Sequence, residues 1–216
     1  IERLGLKRER VIAAEYAGEL AFERGDLFKA KSHFSDAYHH GRLLAPNSGL
    51  VSQAARRLAE ADLALDRIDD AGKYGHIALE VAQQLGEKAE VAQARKVIAQ
   101  VFAVRGSFPD SLEYARQAVD LFREVGDPYD LGRGLLALGD VQLKAESVEG
   151  EKVRAAFDEA GRIFRKLHLD YWVALAEFRA GVFACQNGDL ARGFRKLSRS
   201  EKTFQSIGDS VQVRAV

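Results

Sequence analysis

Residues 17–34 read AGELAFERGDLFKAKSHF, and residues 180–197 read AGVFACQNGDLARGFRKL. Laid over each other, Ala17-Gly18 falls on Ala180-Gly181 and Ala21 on Ala184. Gly25-Asp26-Leu27 falls on Gly188-Asp189-Leu190, Ala30 on Gly193 and Phe34 on Leu197, always at an offset of 163. Intermediate copies fill the gap. Leu58-Ala59, Ile98-Ala99 and Leu138-Gly139 take the place of Ala17-Gly18, so small residues recur at 18, 59, 99, 139 and 181. A second series, Gly5, Pro46, Gly86, Gly126 and His168, runs thirteen residues ahead of the first. Two series that keep step over five copies mark a repeat architecture, and the period must be read before any single motif.

Each copy reads as two amphipathic helices. In the third, Val91, Ala94, Ile98 and Phe102 recur at helical spacing before Gly106-Ser107 interrupts; Leu112, Ala115, Ala118, Val119 and Phe122 then carry a second stripe to Gly126. Spacings of three and four bury one helical face, and no stretch alternates with period two for long enough to form a strand. Glycine at 86, 126 and 208 is expected to end helices, because it enters the left-handed region without a Cβ clash. Asp127-Pro128 is expected to start one: the carboxylate caps free N–H groups, and proline in the first turn surrenders no needed donor. Small residues such as Gly18, Ala30, Gly139 and Ala160 should let paired backbones approach, with Phe34, Phe102, Phe122 and Phe157 filling the layers. One pair cannot bury its stripe alone, so stacking is required. The expectation is an all-α superhelix of about five antiparallel pairs, at 6–45, 46–86, 87–126, 127–168 and 169–208, forming a single domain. The segments 1–5 and 210–216 read as partial helices of neighbouring units. With no methionine in the chain, a piece of a longer protein is expected.

Composition narrows the function. The 216 residues are 47% hydrophobic and 30% charged, enough for a core and a solvated surface. Thirty-two basic side chains balance thirty-two acidic ones, which argues against direct nucleic-acid contact or an anionic membrane surface, since both call for a basic excess. A single cysteine, Cys185, forms no internal disulfide, so a reducing, cytoplasmic location is expected. The longest apolar runs fall far short of a membrane span, and residues 1–10 show no signal peptide.

The pattern resembles tetratricopeptide (TPR) repeats, whose units carry a small residue in the first helix, Gly-Asp in the turn, and small–aromatic–small spacing in the second helix. The match is best at Gly18, Gly25-Asp26, Ala30, Phe34 and Ala37 and weakest in the second unit, where Gly75 replaces the aromatic residue. The fourth unit carries about two extra residues at 145–150. A period of 40 to 42 exceeds the usual TPR length of about 34. This longer form resembles repeats in kinesin light chains, cell-polarity adaptors and bacterial transcriptional and signalling regulators.

Chemical motifs are sparse. Gly132-x-Gly134-x-x-Ala137 matches the loose dinucleotide pattern but lies in a helical stretch without the strand that pattern needs. His33, Asp36 and His40 share a helical face but lack a fourth ligand, and Cys185 has no evident base. No enzyme, cofactor or metal is expected.

The resemblance instead implies a groove lined by first-helix side chains that packing leaves free. By register these are Ile12, Glu15, Glu19, Phe22 and Glu23 in the first unit, then Gln53, Arg56, Glu60 and Leu63 in the second. Gln93, Lys96, Gln100 and Ala103 follow, then Arg133, Leu136, Asp140 and Leu143, and finally Leu175, Phe178, Val182 and Cys185. The Lys/Asn clamp of chaperone-binding TPRs is missing, because Glu15, Glu19 and Phe178 stand where basic or amide groups are needed. The implied function is a non-catalytic scaffold that binds a protein or peptide segment, with Arg56, Lys96 and Arg133 as a basic strip and Phe178 and Val182 as an apolar anchor. The alternative is a small-ligand or signal-peptide sensor domain of a multidomain regulator. Weak self-association through exposed ends is also expected.

Overall fold

The computed structural model describes residues 2–144 and 149–208. Among them are ten α-helices and no strand, in successive antiparallel pairs. The pairs are α1 (Glu2–Glu23) with α2 (Leu27–Leu44), α3 (Gly49–Ala64) with α4 (Ile68–Leu85), and α5 (Lys88–Val104) with α6 (Phe108–Val125). They continue with α7 (Pro128–Lys144) and α8 (Gly150–Lys166), then α9 (Asp170–Gln186) and α10 (Leu190–Ile207). The chain forms two compact units, Ile1–Leu121 and Phe122–Val216. Their division falls inside α6, where the even sequence period leaves no mark. Most of the segment 145–150, where extra residues are expected in the fourth turn, lies outside the described residues, as does the partial helix expected at 210–216.

The turns inside the first, second, third and fifth pairs share one hydrogen-bond pattern. Asp26 N–H donates to Ala21 O at 2.9 Å, Arg67 to Asp62 at 2.8 Å, Ser107 to Phe102 at 2.9 Å and Asp189 to Ala184 at 3.0 Å. Each bond spans six residues and closes a helix end whose last residue is left-handed. Glycine fills that place at 25, 106 and 188, but Asp66 fills it at φ 60°. Gly86, Gly126 and Gly208 end α4, α6 and α10 in the same left-handed way, and His168 follows α8 at φ 56°. Asp127 caps α7 as its sequence suggests, its Oδ1 accepting from the Tyr129 N–H at 2.8 Å and the Asp130 N–H at 3.1 Å. The expected helix end at Gly5 does not form. Residues 2–23 run as one helix.

The small residues act at the helix crossings. A Cβ on Gly18 would come within 2.5 Å of the Phe34 ring, one on Gly132 within 2.6 Å of Phe164, and one on Gly139 would overlap Phe157. Glycine therefore lets each ring lie against the partner's backbone, and burial of each ring stabilises the pair by roughly 1.5–3 kcal/mol. In the second pair Gly75 stands where the first pair carries the Phe34 ring, and the next pair fills the space: its absent Cβ would lie 3.2 Å from Ile98 Cγ1. Phe102 stacks within its own pair on Tyr114, with centroids 5.5 Å apart, and both rings pack against the core that runs through the first three pairs. Buried hydroxyls tie helices together as well. Ser52 donates to the Ala78 carbonyl at 2.9 Å, Ser111 to Ala99 at 2.7 Å and Ser200 to Ala174 at 2.9 Å. The core of the first unit runs through Val11, Tyr38, Val51, Leu79, Val91 and Ile98. In the second unit Leu135, Val153, Phe157, Phe164 and Phe204 are buried.

Candidate functional site

In the first unit α3 touches both α1 and α5, so the first helices of successive pairs form one face. Charged residues meet there. Arg56 Nε donates to Glu90 Oε1 at 2.5 Å, and its Nη1 lies 3.4 Å from Glu60 Oε1. Arg57 bonds to Glu19 and, at 3.2 Å, to Glu60 Oε2. Lys96 donates to Gln93 Oε1 at 2.7 Å and lies 3.9 Å from Glu60 Oε1. Neighbouring carboxylates hold the Arg56 guanidinium firmly charged, although burial alone would lower its pKa. Glu15 completes the group as a half-buried carboxylate with no hydrogen bond among the described residues. Loss of water raises its pKa, and the positive fields of Arg56 and Arg57 only partly offset that rise.

This arrangement corrects the expectation of a free basic strip. Arg56 and Lys96 are only 8% and 6% exposed, and acidic partners already surround them. Gln93 and Leu136, also assigned to the groove by register, are buried in the same way. Glu15, Glu19, Glu60 and Gln100 remain at least partly open, and Gln100 is exposed. Glu90 and Arg57 are the participants that register missed. Glu90 opens α5 and lies thirty-four residues from Arg56, so helical spacing around the small-residue series does not reveal it.

The corresponding face of the second unit is built differently. Arg133 lies over two rings, with its Cζ 5.6 Å from the centroid of Tyr129 and 5.6 Å from that of Trp172. Tyr129 meets Trp172 edge-on at 5.8 Å, and Trp172 stacks on Phe164 at 5.4 Å. Asp130 is 3.9 Å from the guanidinium, too far for a strong charged hydrogen bond. Farther along, Arg179 Nη1 lies 2.7 Å from Asp140 Oδ2. Asp140 reaches solvent yet is crowded by protein atoms. Loss of water pushes its pKa up to about 6, against the pull of Arg179 and Lys144. Phe178 and Val182 are half-buried on α9, beside Arg179 in sequence. The structure thus brings Asp140 together with Arg179, and Arg133 with an aromatic cluster. Among the described residues no three His, Cys, Asp or Glu side chains converge as metal ligands, His33, Asp36 and His40 included. No helix among them is long and apolar enough to cross a membrane.

Residues 50–124 match the family model described as tetratricopeptide repeat. Among solved structures, the chain is similar to a Rap protein complexed with competence and sporulation factor, at TM-score 0.82 and 14% identity. That match covers 91% of this chain and 54% of the Rap protein, so the chain spans about half of that relative. A putative kinesin light chain with TPR-like repeats from Podospora anserina matches at TM-score 0.70 and 10% identity, covering 94% of this chain and 98% of that one. A signal-transduction ATPase with a tetratricopeptide-repeat sensor, from Pyrococcus horikoshii, matches at TM-score 0.71 and 16% identity, with 95% and 31% covered. No curated protein sequence matches the chain.

Proposed function

Starting from a chain whose residues 50–124 match the tetratricopeptide-repeat family model, we propose that it is a non-catalytic scaffold binding a protein or peptide segment along its first-helix faces. One observation carries this reading. Each unit holds, on that face, a carboxylate that burial pushes upward in pKa: Glu15 in the first and Asp140 in the second. A carboxylate stripped of water and only partly compensated is stabilised when a partner supplies a donor. In the first unit Glu15, Glu19 and Gln100 would offer the polar contacts, while Arg56 and Lys96 shape that surface from beneath. This favours a basic or amide-rich segment there over the acidic one that a free basic strip would select. In the second unit Phe178 and Val182 would serve as the apolar anchor, flanked by Arg133, Asp140 and Arg179. A half-buried aromatic residue contributes more to such binding than exposed ion pairs do.

A random peptide library selected on the immobilised protein tests the reading. Enriched peptides should lose binding to Phe178→Ala and Glu15→Lys, and keep it with Arg116→Glu, which changes an exposed second-helix residue. Enrichment that survives both first-helix changes and fails with Arg116→Glu would place binding elsewhere. The alternative is a signal-peptide or small-ligand sensor domain in a transcriptional or signalling regulator. The similarity to a Rap protein complexed with its factor and to an ATPase with a tetratricopeptide-repeat sensor supports it as a second reading. Weak self-association is proposed too, supported by the exposure of Leu190 and Phe194 on α10; sedimentation across a concentration series tests it.

A further inference from the structure

In the second unit a cleft of about 540 Å³ opens between the second helices α8 and α10, with α9 as its floor. The floor is low because Gly161 and Ala176 meet there. A Cβ on Gly161 would lie 3.6 Å from the Ala176 Cβ, so nothing longer than a methyl group stands between the walls. The walls are basic, with Arg162 and Arg165 from α8 and Lys196 and Arg199 from α10. Two carboxylates share the cleft, and both are already engaged. Asp158 takes Arg192 at 2.6 Å and Lys196 at 3.0 Å, and the nearly buried Glu177 takes Arg165 at 3.0 Å. Among the described residues Arg162 donates only to the Asp158 backbone oxygen, at 3.4 Å. Arg199 has no acceptor for its guanidinium among the described residues.

Five cations therefore meet two carboxylates here, in a chain whose totals balance at thirty-two each. The local excess calls for an anion. Guanidinium forks match the paired oxygens of a phosphate, and two unengaged arginines on opposite walls suit a group with more than one negative charge. The volume lies in the range of small-molecule sites, well above that of a bare phosphate ion, and the smooth floor leaves room for a flat ring. An acidic protein segment would be matched by charge spread along a helix face, whereas this charge is gathered around one bounded cleft. We propose that the cleft between α8 and α10 binds a small phosphorylated molecule of mononucleotide size. The proposal is independent of the first-helix reading.

Isothermal titration calorimetry on the full chain at fixed ionic strength tests it, with ATP free of divalent cations, inorganic pyrophosphate and a glutamate-rich peptide as probes. ATP and pyrophosphate should bind saturably, with ATP the tighter because only it covers the floor. Arg162→Glu combined with Arg199→Glu should weaken ATP by about tenfold or more. Arg154→Glu, an exposed change on the same helix outside the cleft, should leave the affinity unaltered. If the double variant melts below the parent, Arg162→Gln with Arg199→Gln is read in its place and should also weaken ATP. The proposal is overturned if neither anion saturates, or if Arg154→Glu weakens ATP as much as the double variant does. Equal affinity for ATP and pyrophosphate would overturn the assigned size. Cleft-dependent binding of the peptide alone would make this a protein docking surface and overturn the assigned ligand.

Discussion

The first-helix faces of the two units hold their charges in opposite ways. In the first unit Arg56 is sealed among Glu60 and Glu90, with Lys96 beside them and no aromatic residue taking part. In the second, Arg133 rests on Tyr129 and Trp172, and the Asp140–Arg179 pair reaches water. A register that places Arg133 one helical turn from the groove position of Arg56 thus covers two physical situations. A sealed pair locks helices together, because neither charge can return to water without breaking the other's bond. An open or ring-stacked charge costs the fold little and stays available to a partner. Similar residue types on the first-helix face contribute structure in one unit and a candidate contact surface in the other.

The contrast breaks most readily at Arg56. Arg56→Leu leaves the buried Glu90 without its Arg56 counter-charge and should lower stability by about 3–5 kcal/mol. Arg179→Met, which frees a carboxylate that still reaches water, should cost at most about 1 kcal/mol. Urea denaturation followed by circular dichroism compares the two, and equal midpoints would erase the distinction.

A next-largest effect is expected at the glycine crossings, which both units share. Gly139→Leu drives a side chain into the Phe157 ring and should cost roughly 1–3 kcal/mol, although removing glycine from a helix interior returns up to about 1 kcal/mol. Gly18→Leu meets Phe34 in the same way and should cost as much. A midpoint unchanged in either variant would mean that the ring escapes without loss of packing.

Asp140 sharpens the comparison through pH. Its carboxyl holds a proton up to about pH 6 when folded, against an ordinary value of 3.8, so the folded state binds the extra proton within that window. Its contribution is present below about pH 4 and is lost as pH rises through 6. Because the side chain is 39% exposed, solvent screening should hold the effect below about 1 kcal/mol. Asp140→Asn should remove this component, so the difference in urea midpoint between variant and parent grows in the variant's favour from pH 4 to pH 7. A difference that does not change with pH would show that Asp140 is not recessed.

The smallest effect is expected at Arg133. Arg133→Ala should cost about 0.5–1 kcal/mol from the lost ring contacts and should shift the emission of Trp172, the only tryptophan in the chain. Arg57→Ala, in the first unit, should leave that emission in place. An unshifted spectrum in Arg133→Ala would remove the ring-stacked cation from the comparison.

The sequence determined the helix pairs, their turns and their crossings, since these depend on short-range chemistry. Gly25, Gly106 and Gly188 permit a left-handed turn, Asp127 caps its own helix, and Gly18 leaves room for a ring sixteen residues later. Each is legible because cause and consequence lie within one pair. Asp66 and His168 show the margin of that reading: their place in the repeat, and not their residue type, puts them at positive φ. Only the tertiary structure decided which groove charges stay open. Arg56 is buried because Glu90 arrives from the next pair, thirty-four residues away, and Arg199 gains its place in a basic cleft because α8 lies opposite α10. Exposure and compensation of a charge depend on everything packed around it, and a one-dimensional period fixes which residues share a layer without fixing which of them neutralise one another.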